Sequence, residues 1–392
     1  MNLINQYIQD ILQDSIEIRK KLHQIPELKY EEFKTAELIA ATLRSYGYEV
    51  KTGIAKTGII AILDSGKPGK TIALRADMDA LPIEEPASHE CRSQHAGKMH
   101  ACGHDGHCAT LLAVANVLFR IKDQLCGKVK FVFQPAEEGG KGSSAMIDAG
   151  VLHDPEVDEI YGYHNWPGLP EGMVATRAGT ILAGNGRVEI TIHGKPAHTA
   201  QAQHAINPVT IGAKIITDLD NLVKDEILKN VILNIIAFNS GDFMRGMSDR
   251  AELTCVYYID TDNDLEQLKQ VISNTCSQYS QKYHIEIDVR FLPFHSPTVN
   301  SDKQSQLILN TSHEIYGDIN TIKLTRSMIA SEDFSEYLRY VPGCFFLVGS
   351  GELADAVHST EYIFNDNIIS VAANILCQVV LKSLLDNHAS LS

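Results

Sequence analysis

The chain has 392 residues, 44% hydrophobic and 21% charged: ordinary globular composition, and more length than one domain needs. A formal net charge of -15 argues against nucleic acid or an anionic membrane as a main partner. It leaves room for a small anionic substrate, since a metal and a few basic groups can reverse the local field.

The opening stretch MNLINQYIQDILQDSIEIRKKLH has an amphipathic helical pattern with acids spread through it. It lacks a basic region followed by an apolar run, so no signal peptide is expected. TAELIAATLRSYG (35–47) has helical spacing and stops at a glycine. TGIIAILDSG (57–66) and KTIALRADMDAL (70–81) are apolar runs of strand length, TLLAVANVLFRIK (110–122) returns to helix, and KVKFVFQPAEE (128–138) and EIYGYHNWP (159–167) are strands again. This alternation predicts an α/β fold with a mainly parallel sheet covered by helices on both faces. GTILAGNG, near 180, reads as a hinge. Beyond it, segments 187–194, 206–223, 231–241, 251–260, 263–283 and 284–293 follow the order β-α-β-β-α-β, the ferredoxin-like succession. The expected organisation is therefore a discontinuous catalytic domain, 1–184 and 295–392, with an inserted lid domain, 185–294. Eight cysteines without framework spacing read as reduced thiols in a cytoplasmic protein, and no stretch reads as apolar for long enough to span a bilayer.

Several strands run straight into polar or glycine positions, and sites in open α/β sheets form at such carboxyl ends. Asp77, Asp79, Glu137, Glu138 and His164 fall there, so residues distant in sequence can meet on one rim. In MHACGHDGH, Cys102 and His104 are two apart and offer a thiolate and an imidazole to one ion; a buried loop pair is the bland alternative, and His100 and His107 read as non-ligands. A Glu-Glu pair is usually a solvated loop. Here Glu137 and Glu138 follow an apolar strand and Pro135 and precede two glycines. The reading is Glu138 as ligand and Glu137 as the base that takes a proton from water and passes it to a departing amine. His164 and His358 are weak signals individually. As a set, Cys102, His104, Glu138, His164 and His358 are more ligands than one tetrahedral ion needs, which suits two bridged ions. Asp79 can orient a ligating histidine. His198, in the inserted domain, is a candidate for the developing oxyanion if that domain closes over the site.

LHQIPELKYEEFKTAELI, LRADMDALPI, MHACGHDGHCATLLA, FVFQPAEEGGKGSSAMIDAGVL, YGYHNWPGLPEG, GKPAHTAQ, SEDFSEYL and VHSTEYIFND, in that order, resemble a known family. It is the di-metal amidohydrolase family of hippurate hydrolase, auxin-amino-acid-conjugate hydrolases and N-acetyl-diaminopimelate deacetylase, within the zinc-exopeptidase-like metallopeptidases. The resemblance runs over nearly the whole chain. It implies a zinc-exopeptidase-like catalytic domain with a ferredoxin-like lid, metal ligands at Cys102, His104, Glu138, His164 and His358, and catalysis by Glu137 with Asp79 and His198. The cofactors implied are two divalent ions drawn from zinc, manganese, nickel and cobalt. The lid departs from the family pattern at Gln203, Arg245 and Tyr258, positions that shape substrate recognition. Arg245 and Asn165 are the substrate-binding candidates.

The expected function is hydrolysis of the amide that joins an acyl group to an amino acid, with the substrate a small N-acyl amino acid. A dipeptidase or carboxypeptidase on the same scaffold is the alternative, and a non-catalytic metal- or ligand-binding protein a more distant one. The expected state is a monomer or a homodimer formed through the lid, whose strand edge is exposed.

Overall fold

Ile4, Ile8, Ile11 and Leu22 recur on one helical stripe, and burying that stripe winds Leu3–Gln24 into helix α1. The computed structural model describes residues 3–224, 228–241 and 246–385. After α1 come α2 (Phe33–Ser45), strands β1 (Val50–Ile54), β2 (Gly58–Asp64) and β3 (Thr71–Asp77), then α3 (His104–Arg120), β4 (Lys128–Gln134), α4 (Gly142–Asp148), β5 (Glu159–Pro167), β6 (Val174–Thr176) and β7 (Gly179–Leu182). A second group follows: β8 (Gly184–His193), α5 (Pro208–Lys224), β9 (Val231–Ser240), β10 (Arg250–Ile259), α6 (Asp262–Tyr283) and β11 (Ile287–His295). The chain then adds β12 (Thr298–Asn300), α7 (Asp302–Tyr316), β13 (Thr321–Lys323), α8 (Ser335–Leu338), β14 (Gly343–Gly351) and α9 (Asn367–Leu385).

These elements form two units: Met1–Ile181, Val299–Arg326 and Asp333–Ser392 in the first, Leu182–Thr298 and Ser327–Glu332 in the second. The first holds an eight-stranded mixed sheet in the order β1-β2-β4-β3-β5-β14-β6-β13. Its centre, β4-β3-β5-β14, is parallel throughout. All seven residues of β3 and the first eight of β14 are buried, as both faces of a helix-covered parallel sheet require. Helices α1, α3 and α9 pack on one another. The second unit is an antiparallel sheet, β11-β8-β10-β9, with its own core around Ile190, Ile211, Leu253 and Leu268. Strand β8 alternates between buried and half-buried residues, the pattern of a sheet covered on one face.

Two expectations need correction. The helix read over 110–122 starts at His104, so residues 104–107, the second half of the histidine-rich run, form its first turn, while residues 99–103 precede it. Helix α9 is apolar and long enough to cross a membrane by length and composition, although the sequence reading found no such stretch. Most of α9 is packed in the core of the first unit, and apolarity alone does not separate a core helix from a spanning one.

Candidate metal centre

Because β4, β3, β5 and β14 run parallel, their carboxyl ends share one rim of the first unit. Asp77 ends β3 with Asp79 two residues on; Glu137 and Glu138 follow the end of β4; His358 lies in the loop after β14. His164 sits inside β5 rather than past it. Gly103 precedes α3 with φ of 99°, and a Cβ there would lie 2.3 Å from Asn165 Oδ1 and 2.7 Å from Tyr362 Oη. Only glycine lets the helix begin this close to β5, which sets Cys102 and His104 at the rim. His358 is itself left-handed, with φ of 65°. Its amide donates to the Ala101 carbonyl at 2.7 Å, tying it to the segment that carries Cys102.

The five predicted ligands come together. Cys102, His104 and His164 each offer one donor atom within 4.8 Å of the others; so do Cys102, Glu138 and His358, and so do His104, Glu137 and Glu138. The triads overlap at Cys102, His104 and Glu138. Cys102 Sγ is 3.4 Å from His164 Nε2, and His358 Nε2 is 3.2 Å from Glu138 Oε1. His104 Nδ1 donates to the Asp79 carbonyl at 2.9 Å and His164 Nδ1 to the Asn165 carbonyl at 2.6 Å, so the neutral form of each ring, the one that ligates, carries its lone pair on Nε2. His104 Nε2 is buried with no hydrogen-bond partner among the described residues, and Glu138 Oε1, equally buried, has the His358 Nε2 contact. An orphaned buried imidazole nitrogen beside a thiol and a carboxylate is what a soft-to-borderline divalent cation satisfies, so the donor set fits such ions.

Protonation follows the same logic. The Cys102 thiol and the Glu138 carboxylate push His358 up to about 10, against the opposing effect of its partial burial. A proton is thus drawn to a place where negative donors accumulate. Burial, reinforced by His107 beside it, holds His164 well below the ordinary imidazole range and keeps it neutral, the form that ligates. Burial pushes the Cys102 thiol up, and Glu138 adds to that; a bound cation acts in the opposite direction.

Behind the donors lies a buried polar layer. The Asp79 carboxylate accepts the amides of both Glu137 and Glu138 at 3.0 Å, so the residue holds His104 through its backbone and the glutamate pair through its side chain. Asp77 accepts from His107 Nδ1 at 2.6 Å and from Arg75 Nη1 at 2.7 Å. Arg75 also bonds Asp333 at 3.0 Å, Asp333 accepts from Gln134 and the Ser143 amide, and the Asp333 amide points to Glu137 Oε1 at 3.4 Å. The sequence reading passed over Arg75 and Asp333. An arginine within the otherwise apolar IALRA strand was the available signal, because a cation buried there requires partners.

Asn165 is fully buried, its Oδ1 2.7 Å from His107 Nε2 and its Nδ2 donating to Tyr362 Oη at 2.8 Å, so its side chain is spent inside the fold. His198 belongs to the second unit, is exposed, and accepts the Ala200 amide at 3.1 Å. Arg245 lies outside the described residues. His100 is buried and His107 bonds Asp77 and Asn165; neither joins the triads built on Cys102.

The rim assembles side chains suited to a hydrolase acting on amide bonds: cation donors with a further carboxylate, Glu137, beside them. The chain belongs to the family described as peptidase family M20/M25/M40, whose model matches residues 73–382. It is 34% identical to thermostable carboxypeptidase 2 of Saccharolobus solfataricus, covering 91% of this chain and 92% of that one. It is 32% identical to hippurate hydrolase of Campylobacter jejuni subsp. jejuni, covering 98% and 100%. Among solved structures, the Bacillus subtilis YXEP protein, described as a dinuclear metal binding peptidase from M20 family, superposes with a TM-score of 0.85 at 27% identity over 96% of this chain and 99% of that one.

Proposed function

We propose that this chain is a metal-dependent amidohydrolase that releases an amino acid from its N-acyl conjugate, with Cys102, His104, Glu138, His164 and His358 holding two divalent ions. The observation that carries the reading is the overlap of the donor triads at Cys102, His104 and Glu138, with Glu137 inside one of them. Zinc, manganese, nickel and cobalt all suit the donor chemistry. Ions held there supply Lewis acidity to a carbonyl and make water more acidic. Glu137 takes the proton from the attacking water on its carboxylate and delivers it to the leaving amine nitrogen. Asp79 fixes the two glutamate amides so that ligand and base keep their separation, and the tautomers of His104 and His164 are set by carbonyls.

The carboxypeptidase relative supports a second reading with the same leaving group, an amino acid with a free carboxylate. The two differ on the acyl side: a small acyl or aryl group in one, a peptide in the other. A panel of N-acetyl, N-benzoyl and indole-acyl amino acids beside N-blocked peptides and free dipeptides, with each metal added back, decides between them. Preference for the small conjugates is the expected result; turnover of peptides alone overturns it. Glu137→Gln is expected to lower kcat by about a thousandfold while metal content by elemental analysis stays at the wild-type level. Undiminished turnover removes Glu137 from the role of base.

A further inference from the structure

The glutamate pair sits in a turn that its own sequence does not favour. Ala136 has φ of 56°, a left-handed conformation that costs a non-glycine residue about 1 kcal/mol. The amides of Gly140 and Gly142 both donate back to the Ala136 carbonyl at 3.1 Å, so the chain curls around this residue. Asp79 accepts the amides of Glu137 and Glu138. The amide just before them is held from elsewhere: Ala136 N donates to Glu32 Oε1 at 2.9 Å.

Glu32 is fully buried, at the start of α2. The same Oε1 accepts from its neighbour Tyr30 N at 2.9 Å, and Oε2 accepts from the Thr57 hydroxyl at 2.6 Å, in the turn between β1 and β2. The segment around it adds two further holds: Tyr30 Oη donates to the Gly140 carbonyl at 2.8 Å, and Lys29 Nζ to the Glu138 carbonyl at 3.2 Å. Three consecutive amides, 136 to 138, are therefore gripped by two carboxylates reaching in from two different segments. A carboxylate taken out of water at this depth is sustained only by donors such as these, and the Ala136 amide, two residues past the end of β4, is satisfied by Glu32.

We propose that Glu32 is a positioning residue for the hydrolysis, fixing the left-handed turn at Ala136 so that Glu137 and Glu138 meet their partners. The inference rests on the amidohydrolase reading for its kinetic consequence and on geometry alone for its structural one. A displacement of about 1 Å at a proton-transferring group can cost on the order of a hundredfold in rate.

The test measures two things on the full chain, loaded with the metal that supports activity, well below its melting temperature. One is kcat and KM on the best N-acyl amino acid; the other is amide hydrogen exchange in the peptide spanning 135–141. Glu32→Ala is expected to lower kcat about a hundredfold with KM within about threefold, and to speed exchange at 136–139 at least about tenfold. Glu32→Gln keeps an oxygen for Ala136 and Tyr30 and offers its amide to the Thr57 hydroxyl, so it is expected to restore most of kcat and the protection. Wild-type kcat and exchange in Glu32→Ala overturn the proposal. So does an equal loss in the Ala and Gln variants, which marks a merely structural role. If Glu32→Ala does not fold, Thr57→Val replaces it: a smaller kcat loss with faster exchange at 136–139 supports the proposal, and unchanged exchange sinks it. If the wild-type enzyme hydrolyses no N-acyl amino acid, the proposed function fails, while the exchange comparison still decides for or against Glu32.

Discussion

One methyl group at Gly142 would stand 1.6 Å from the Pro135 carbonyl oxygen, deep inside its contact radius. The opposing atom is backbone, so the turn carrying Glu137 and Glu138 has to reopen. Gly142→Ala is expected to lose about 2 kcal/mol of stability and most of kcat, checked by thermal denaturation and single-substrate kinetics. Unaltered turnover would mean that the turn's path does not govern the chemistry. The residues of the donor cluster were legible in the sequence because their types carry metal and proton chemistry: a cysteine two before a histidine, a glutamate pair after an apolar strand. Glu32, Arg75 and Asp333 were not. Each is a charged residue whose role is set by a partner far along the chain, 104 positions away in the bond from Ala136 to Glu32; the apolar strand around Arg75 signals that a partner is needed without naming it, and no local pattern announces Glu32 or Asp333.

Helices α1 and α3 meet through buried charge as well as apolar packing. His23 bonds Asp105 at 2.8 Å and Glu85 at 2.9 Å, and Arg19 reaches Asp105 at 3.6 Å and Asp366 at 2.8 Å. His89 lies on Glu85 at 2.8 Å, and the His100 ring centroid is 6.3 Å from that of His23. Burial by itself depresses the His23 imidazole, but Asp105 and then Glu85 outweigh it and raise it to about 9. The stability it contributes is complete below its ordinary 6.5 and is lost as pH rises through about 9. Glu85 moves the other way: burial opposes, yet His23 and the Ser93 amide hold it down at about 2, so its contribution is full above its ordinary 4.5 and is lost as pH falls toward 2. The contribution of this pair is complete between pH 4.5 and 6.5 and falls away above that window, read as the difference in urea midpoint between wild type and His23→Leu across pH. His23→Leu is expected to cost about 3 kcal/mol near neutrality, because it takes the shared imidazolium from two buried carboxylates at once, and to flatten the alkaline slope. An unaltered alkaline slope would assign that slope to other groups. The sequence announced α1 through its apolar stripe, but not this junction; it placed a helix start near His107 but not the beginning of α3 at His104, which Gly103 fixes against β5.

At the scale of the whole molecule, each unit has an apolar core of its own, and the donor cluster lies entirely in the first. An ion that binds only the folded first unit stabilises it by about 4 kcal/mol at a thousand times its dissociation constant. Calorimetry with and without chelator is therefore expected to move one component of the unfolding profile and leave the other in place. Equal movement of both would show that the units unfold together. The succession of strands and helices was legible because periodicity is local; the order of strands in the sheet was not, because β14 slots between β5 and β6 from far downstream. That insertion has a consequence for biosynthesis. A ribosome completes β5 and then makes roughly 175 further residues, about 10 to 35 seconds of elongation, before the neighbour that covers its open edge exists. Over that interval the nascent chain carries a bare, apolar parallel edge, the kind of surface to which holding chaperones bind and from which misassembly starts. Completion of the eight-stranded sheet thus waits on its last strand.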